Sequence, residues 1–328
     1  MSEYSSPKYR GMFLTMSTAA FFWGIWTADI IGTFFAWRNI AIVGFICSLY
    51  MLTVFLWPES PIWLASKKRF KESKEAFRWI HGYTAEEELQ ALCSENAAEY
   101  FTAQMKWYKI IQCPEFYKPM ILSVVAVLQY QFSGKMMYSL YILDIFKKTA
   151  SERVAYTAML ILNGFSVLSM YLGVYLTNVL KRRSLYMITS VIAILFLFLI
   201  STYLFLCKLD VFNHNNYLVI CFLFVYNMSI SSGPMILSGT ISGELISSKY
   251  QTISYIILFI TVTIIQGSLS KLTLKIFDTL GIHGSFCMYG IICSLCTLYL
   301  YRYLPETKNK SKWEIEEMFK EVKDNENK

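Results

Sequence analysis

Gln131, Lys135 and Tyr138 stand at i, i+4 and i+7 in the apolar stretch 119–146. A continuous helix would carry their amide, ammonium and phenol on one face. Such groups can hydrogen-bond a small polar solute, and nothing in the set makes or breaks a covalent bond. Tyr130 precedes Gln131, and Gly134 gives a point where the helix can open. Gly233-Pro234 does the same in the stretch 217–241, with Ser229 one turn earlier. Discontinuous helices at mid-membrane free backbone groups that must line a cavity or be buried in protein. The alternative for the glutamine and the tyrosine is hydrogen bonding to neighbouring helices. Lys135 stands out, because a charge at membrane depth costs about 2.5–3.5 kcal/mol on insertion scales. It is expected to face a wet cavity or a partner, altering selectivity toward anionic solutes or plugging the site. Snorkelling to the interface is the alternative, with poor reach from mid-span.

Other constellations carry less. Cys293 and Cys296 have CxxC spacing but lie in a continuous apolar stretch, where cysteine acts as a small hydrophobe. The eight cysteines form no disulfide framework, and His81, His214 and His283 are scattered. Phosphate loops, nucleophile motifs and paired catalytic carboxylates are missing from the sequence, which argues against an enzyme or an ATP-driven pump. No cofactor is implied.

The elements that must position these residues follow from composition. Of 328 residues, 55% are hydrophobic and 16% charged, against roughly 25% charged in soluble domains. Eight stretches suit a bilayer core of about 30 Å, which takes about 20 residues as a helix: 12–34, 40–57, 119–146, 154–180, 185–206, 217–241, 252–274 and 284–304. Their length and continuity argue for helices over strands. The first is too long for a signal peptide, lacks a cleavage pattern and is followed at once by another span. With a cytoplasmic N-terminus, twenty-two Lys and Arg fall on the cytoplasmic side and seven on the other. By the positive-inside rule both termini are cytoplasmic. The net charge of +7 is therefore a topology signal, and no nucleic-acid partner is implied.

The chain reads as residues 1–57 with two spans, a cytoplasmic segment 58–118, a six-helix bundle 119–304 and a cytoplasmic tail 305–328. In 58–118, nine basic residues balance nine acidic ones, which excludes a polybasic lipid anchor. Ser60-Pro61 predicts an N-cap followed by proline at the first helical position, and Thr84 to Glu87 has capping-box spacing. Two or three short amphipathic helices are expected under the membrane, with Leu64, Phe70, Phe77, Trp79 and Ile80 buried. A solvated linker is the alternative.

Two flanking motifs recur. Glu3 stands seven residues before Arg10, and Glu244 seven before Gln251, with Lys-Tyr just ahead of the Arg or Gln each time. Pro58-Glu59-Ser60 follows the first pair of spans and Pro305-Glu306-Thr307 the second. Four more spans precede the second copy and none the first. Equivalent halves would give six spans plus six, the parallel-repeat layout of major-facilitator transporters. Chance similarity of short motifs is the alternative.

These residues resemble the sugar-porter family of the major facilitator superfamily, in particular insect facilitative sugar carriers of the trehalose-transporter type. The matches are Arg10-Gly11 with Glu3, Pro58 to Leu64, Gln131-Phe132-Ser133-Gly134, Arg182-Arg183, Gly233-Pro234 and Pro305 to Lys308. The resemblance implies an all-α membrane protein of major-facilitator fold, with eight transmembrane helices of an expected twelve. It also implies a multi-pass place in the plasma membrane and transport of a sugar or polyol by alternating access, facilitative or proton-linked. It implies substrate contacts at Thr18, Tyr130, Gln131 and Ser229, beside Gly134, while Lys135, like Tyr138 a candidate from helical spacing alone, falls where the family looks apolar. Thr18 falls where a glutamine is expected, Tyr130 replaces the first of two glutamines, Met136 an asparagine and Leu237 a tryptophan. A cytoplasmic gate is implied at Glu3, Arg10, Glu59, Arg182, Arg183, Glu244 and Glu306, pairing across bundles when closed. Solvated helix ends are the alternative for each, and Gln251 stands where an arginine is expected. The chain is expected to be an incomplete form that does not transport alone. The competing reading is a non-transporting sensor or partner subunit derived from a sugar porter.

Overall fold

The computed structural model describes residues 10–67, 69–81, 113–135, 152–212, 215–246, 251–308, 310, 314, 315 and 317–319. Those residues are helical apart from short connections, and no strand occurs among them. Apolar segments can cross lipid only if each backbone group is satisfied within the segment, which selects helices here. Six described helical stretches are long and apolar enough to cross a membrane: Arg38–Leu56, Tyr156–Val179, Arg182–Lys208, Tyr217–Leu245, Ile253–Thr273 and Lys275–Tyr303. Two further helices, α1 (Arg10–Phe34) and α5 (Pro114–Gln131), occupy the remaining expected spans.

The chain divides into two compact units, Met1–Leu14 with Ile30–Cys113, and Thr15–Asp29 with Pro114–Lys328. In the first, α2 (Arg38–Met51) runs into a 3-10 turn over Leu52–Leu56, and α2 has no buried residue. Next come α3 (Pro61–Ser66) and α4 (Phe70–His81). Ser60 caps α3 through Trp63 N, with Pro61 in the first turn, as its sequence predicts. The Ser73 hydroxyl donates to the Pro61 carbonyl at 2.7 Å, tying α4 to α3. Leu64, Ser73, Ala76 and Phe77 are buried, Ile80 is half-buried, and Phe70 and Trp79 are exposed. The expected buried stripe is thus corrected. Positions 73, 76, 77 and 80 share a face, and two of them carry side chains too small to announce it.

In the second unit α6 (Glu152–Val179), α7 (Arg182–Lys208), α8 (Asn216–Ser232) and α9 (Pro234–Leu245) follow α5, and α10 (Gln251–Tyr303) closes the unit. Along α7 the buried residues are Leu185, Tyr186, Thr189, Ser190, Ala193, Leu197, Ile200 and Ser201, one stripe of helical period. Ile188, Val191, Leu195 and Leu199 are exposed on the other side. A helix apolar on both faces, with one bare, is made for lipid. The core gathers Leu162, Leu197, Ile200, Leu223, Tyr226, Ile230 and Phe286.

α10 is two helices joined at Gly281, whose φ of 71° and ψ of 172° are not helical. A positive φ favours glycine, which has no Cβ to clash. Thr273 Oγ1 lies 3.1 Å from Tyr289 Oη, although sixteen residues of straight helix would separate them by about 24 Å. The arms therefore fold back on each other, and Thr273 and Tyr289 stand equally far from Gly281 along the chain.

Candidate functional site

α5 stops at Gln131, and the chain turns over 132–134 before Lys135. Gly134 takes a φ of 80°. The Ser133 hydroxyl makes the turn self-sufficient: it donates to the Tyr130 carbonyl at 2.6 Å and accepts from Lys135 N at 3.3 Å. The Ser133 carbonyl, freed by the break, accepts from the buried Tyr226 hydroxyl at 2.6 Å. A Cβ on Gly134 would lie 3.0 Å from the Tyr289 ring, so the turn sits directly on that aromatic. The face expected to run through Gln131 and Lys135 is interrupted, because the helix joining them ends between the two.

The second break lies at Gly233, between α8 and α9. Pro234 has no N–H to leave unsatisfied, and the Gly233 carbonyl accepts from Leu237 N at 2.9 Å. A Cβ here would overlap Thr189, and a Cβ on Gly173 would overlap the Ser232 carbonyl oxygen. Two glycines thus allow α6 and α7 to close on the break.

Near these breaks the predicted residues fall into distinct environments. Gln131 is 6% exposed, and its amide has no hydrogen-bond partner among the described residues. Tyr130 and Thr18 are half-buried. Ser229 is buried and donates to the Val225 carbonyl of its own helix at 2.8 Å. Tyr138 lies outside the described residues. Lys135 is 3% exposed, so its ammonium is not on a lipid face. Its Nζ donates to Ser166 Oγ at 2.9 Å and to Asn227 Oδ1.

Several polar residues escaped the sequence reading. Gln129 is fully buried: its Nε2 donates to Ser190 Oγ and Thr297 Oγ1, both at 2.9 Å, and its Oε1 accepts from the Tyr186 hydroxyl at 3.0 Å. The interhelical alternative considered for Gln131 is realised one turn-face away, at Gln129. Asp29 accepts from Asn163 Nδ2 at 3.0 Å, beside Trp26, whose indole donates to the Leu160 carbonyl at 3.1 Å and packs over Gly164. Each was visible as a polar residue inside an apolar stretch, which is the available signal.

The gate residues meet within one unit. Arg182 and Glu244 form an ion pair. Glu306 accepts from the backbone N–H groups of Arg182 at 3.1 Å and Arg183 at 3.2 Å, the first turn of α7. Two arginines at a helix N-terminus oppose the helix dipole, and a carboxylate there restores the balance. Lys308 Nζ donates to the carbonyls of Asn178 and Leu180 at the end of α6, at 2.6 and 3.0 Å. Arg183 donates to the Tyr301 carbonyl at 2.5 Å and lies over its ring. Arg182, Arg183, Glu244 and Glu306 are thus linked to one another within the second unit. Glu59 is exposed, Arg10 opens α1, and Glu3 and the Thr84 cap lie outside the described residues.

The chain matches a family model described as "Sugar (and other) transporter" over residues 1–319. It belongs to the sugar transporter family. The protein is 24% identical over 327 residues to the facilitated trehalose transporter Tret1 of Apis mellifera ligustica, covering 97% of this chain and 64% of that relative. With the Drosophila erecta protein of the same name it shares 26% over 328 residues, 96% of this chain and 37% of that one. The family member thus spans from about a third to under two thirds of the length of these relatives. Among solved structures it superposes on the proton:xylose symporter XylE bound to 6-bromo-6-deoxy-D-glucose with a TM-score of 0.78 at 17% identity, covering 97% of this chain and 69% of that one. Against inward-open XylE from E. coli the TM-score is 0.64 at 16% identity, with 97% and 67% covered. The fold is that of the major facilitator superfamily, and the chain is a multi-pass membrane protein.

Proposed function

We propose that this family member moves a sugar or related small polar solute across the plasma membrane by alternating access, with both termini cytoplasmic. The observation that carries the reading is the Gln131 amide: buried, at the open end of a broken helix, and without a protein partner among the described residues. An amide that the described residues leave unengaged keeps two donors and an oxygen for a solute hydroxyl. Tyr130, Thr18, Ser229 and Tyr138 are the further groups assigned to the solute. The names of the Tret1 relatives, and of XylE with its bound bromoglucose, support a sugar as that solute.

The test is uptake of labelled trehalose, glucose and xylose into vesicles holding the chain, with Gln131→Ala alongside. Uptake of none, with no saturable binding, would overturn the proposal. Because the 38–56 span buries none of its apolar window, we expect uptake only when further helices cover it. Uptake by the 328-residue chain alone would sink that expectation. One observation favours a non-transporting sensor: Lys135 ties the broken helix to α6 and α8. Sugar binding without uptake in any assembly identifies that case, and an outward proton gradient that changes uptake identifies proton linkage.

A further inference from the structure

Among the described residues, the groups around Lys135 form a hydrogen-bond network with one orientation. Asn227 is fully buried, and Ser166 nearly so. Both hydrogens of Asn227 Nδ2 are engaged, one by the Leu162 carbonyl at 2.9 Å and one by Ser166 Oγ at 2.5 Å. The Ser166 hydroxyl gives its own hydrogen to the Leu162 carbonyl at 3.0 Å. With those donors used, what remains is Asn227 Oδ1 and a lone pair of Ser166, and both are aimed at Nζ. A serine has one donor and two lone pairs, and a primary amide two donors and one oxygen, so the orientation is forced. The Leu162 carbonyl is the orienting group, because it takes one hydrogen from each.

A pair of neutral oxygens fixed in this way is a receptor for a positive charge that brings its own N–H donors. It is also unfavourable when empty, since two buried acceptors would lack hydrogen. A bare metal ion is a poorer match, because it would seek more oxygens than the two described here. We propose that Ser166 and Asn227 form a site for one primary-ammonium cation, and that Lys135 occupies it from within the chain. The consequence is mechanical. The tethered cation fastens the 132–135 turn to α6 and α8, so the break keeps its shape without a dissolved ion.

The site can be emptied and refilled. In the purified full chain, Lys135→Ala removes the ammonium and most of its stem, leaving room for n-propylammonium. The readout is the apparent unfolding temperature from tryptophan fluorescence, which does not depend on any sugar reading. It should fall by several degrees in Lys135→Ala and rise saturably with n-propylammonium chloride. Choline chloride, which has no N–H, and sodium chloride at equal ionic strength should not raise it. Adding Asn227→Ala should abolish the rescue. A rescue equal with choline, or no rescue by the amine, overturns the proposal. A second arm holds even if Lys135→Ala does not fold. Lys135→Met and Asn227→Leu should each lower the unfolding temperature, and the double variant should lie above both, because oxygen and cation vanish together. A double variant as low as the sum of the singles overturns the site.

Discussion

The two broken helices of the second unit solve the same problem differently. At 132–134 the loosened backbone is answered by polar side chains: Ser133 bridges the turn, and Tyr226 supplies the freed carbonyl. At 233–234 Pro234 has no N–H to satisfy and Ser232 donates to the Ser229 carbonyl at 3.3 Å, but the close fit is one of shape, with Gly233 against Thr189 and Gly173 against Ser232. A break held by hydrogen bonds has groups that can change partners, while one held by contact can only move as a block. Gln131, without a partner among the described residues, borders the first kind, so the solute contact proposed for it would lie where exchange is easiest.

The largest effect should come from the sterically held break. Gly233→Ala drives a Cβ into Thr189, and the stability loss should reach the upper end of about 1–3 kcal/mol for overpacking. Thr189→Ala in the same chain should return part of the loss; no recovery in thermal unfolding would break the claim that shape holds this break. Gly134→Ala comes next, at roughly 1–2 kcal/mol for a left-handed backbone, with added crowding from Tyr289. If Gly134→Ala melted with the native chain, the turn would not need its glycine. Tyr226→Phe removes one donor and should destabilise by about 1 kcal/mol. It acts at the first break alone, so hydrogen exchange should rise around 132–135 and not around 233. The smallest change in stability belongs to Gln131→Ala, whose amide has no partner to lose among the described residues. Its unfolding temperature should match the native chain, while half-maximal solute binding should need about tenfold more solute, equivalent to ~1.4 kcal/mol.

Both breaks were readable in the sequence, because glycine, and proline after glycine, interrupt apolar stretches by known backbone physics. The cap at Ser60-Pro61 was readable for the same reason. What could not be read is which polar groups meet. Lys135 was visible as an anomaly, but its partners lie 31 and 92 residues away, and helical spacing says nothing at that range. The predicted Gln131–Lys135 face failed on the break that the same sequence foretold, since a turn between two residues cancels their helical phase. Gln129 and Gln131 look alike in a string of letters, yet two residues of helix turn them to different sides, one filled by Ser190, Thr297 and Tyr186 and the other open. Phe70 and Trp79 show the opposite error: aromatic rings were assigned inward, while Ser73 and Ala76 take the buried positions.

The fold-back at Gly281 makes the register of one aromatic depend on counting. Tyr289 meets Thr273 because it stands as many residues past the bend as Thr273 stands before it, and the ring so placed lies against Gly134. Adding or deleting a single residue between Gly281 and Tyr289 would swing the ring by about 100°, leaving a void under the turn. The distance from hairpin tip to tyrosine is a measured length written in amino acids, and it sets the seating of an element more than a hundred positions earlier in the chain.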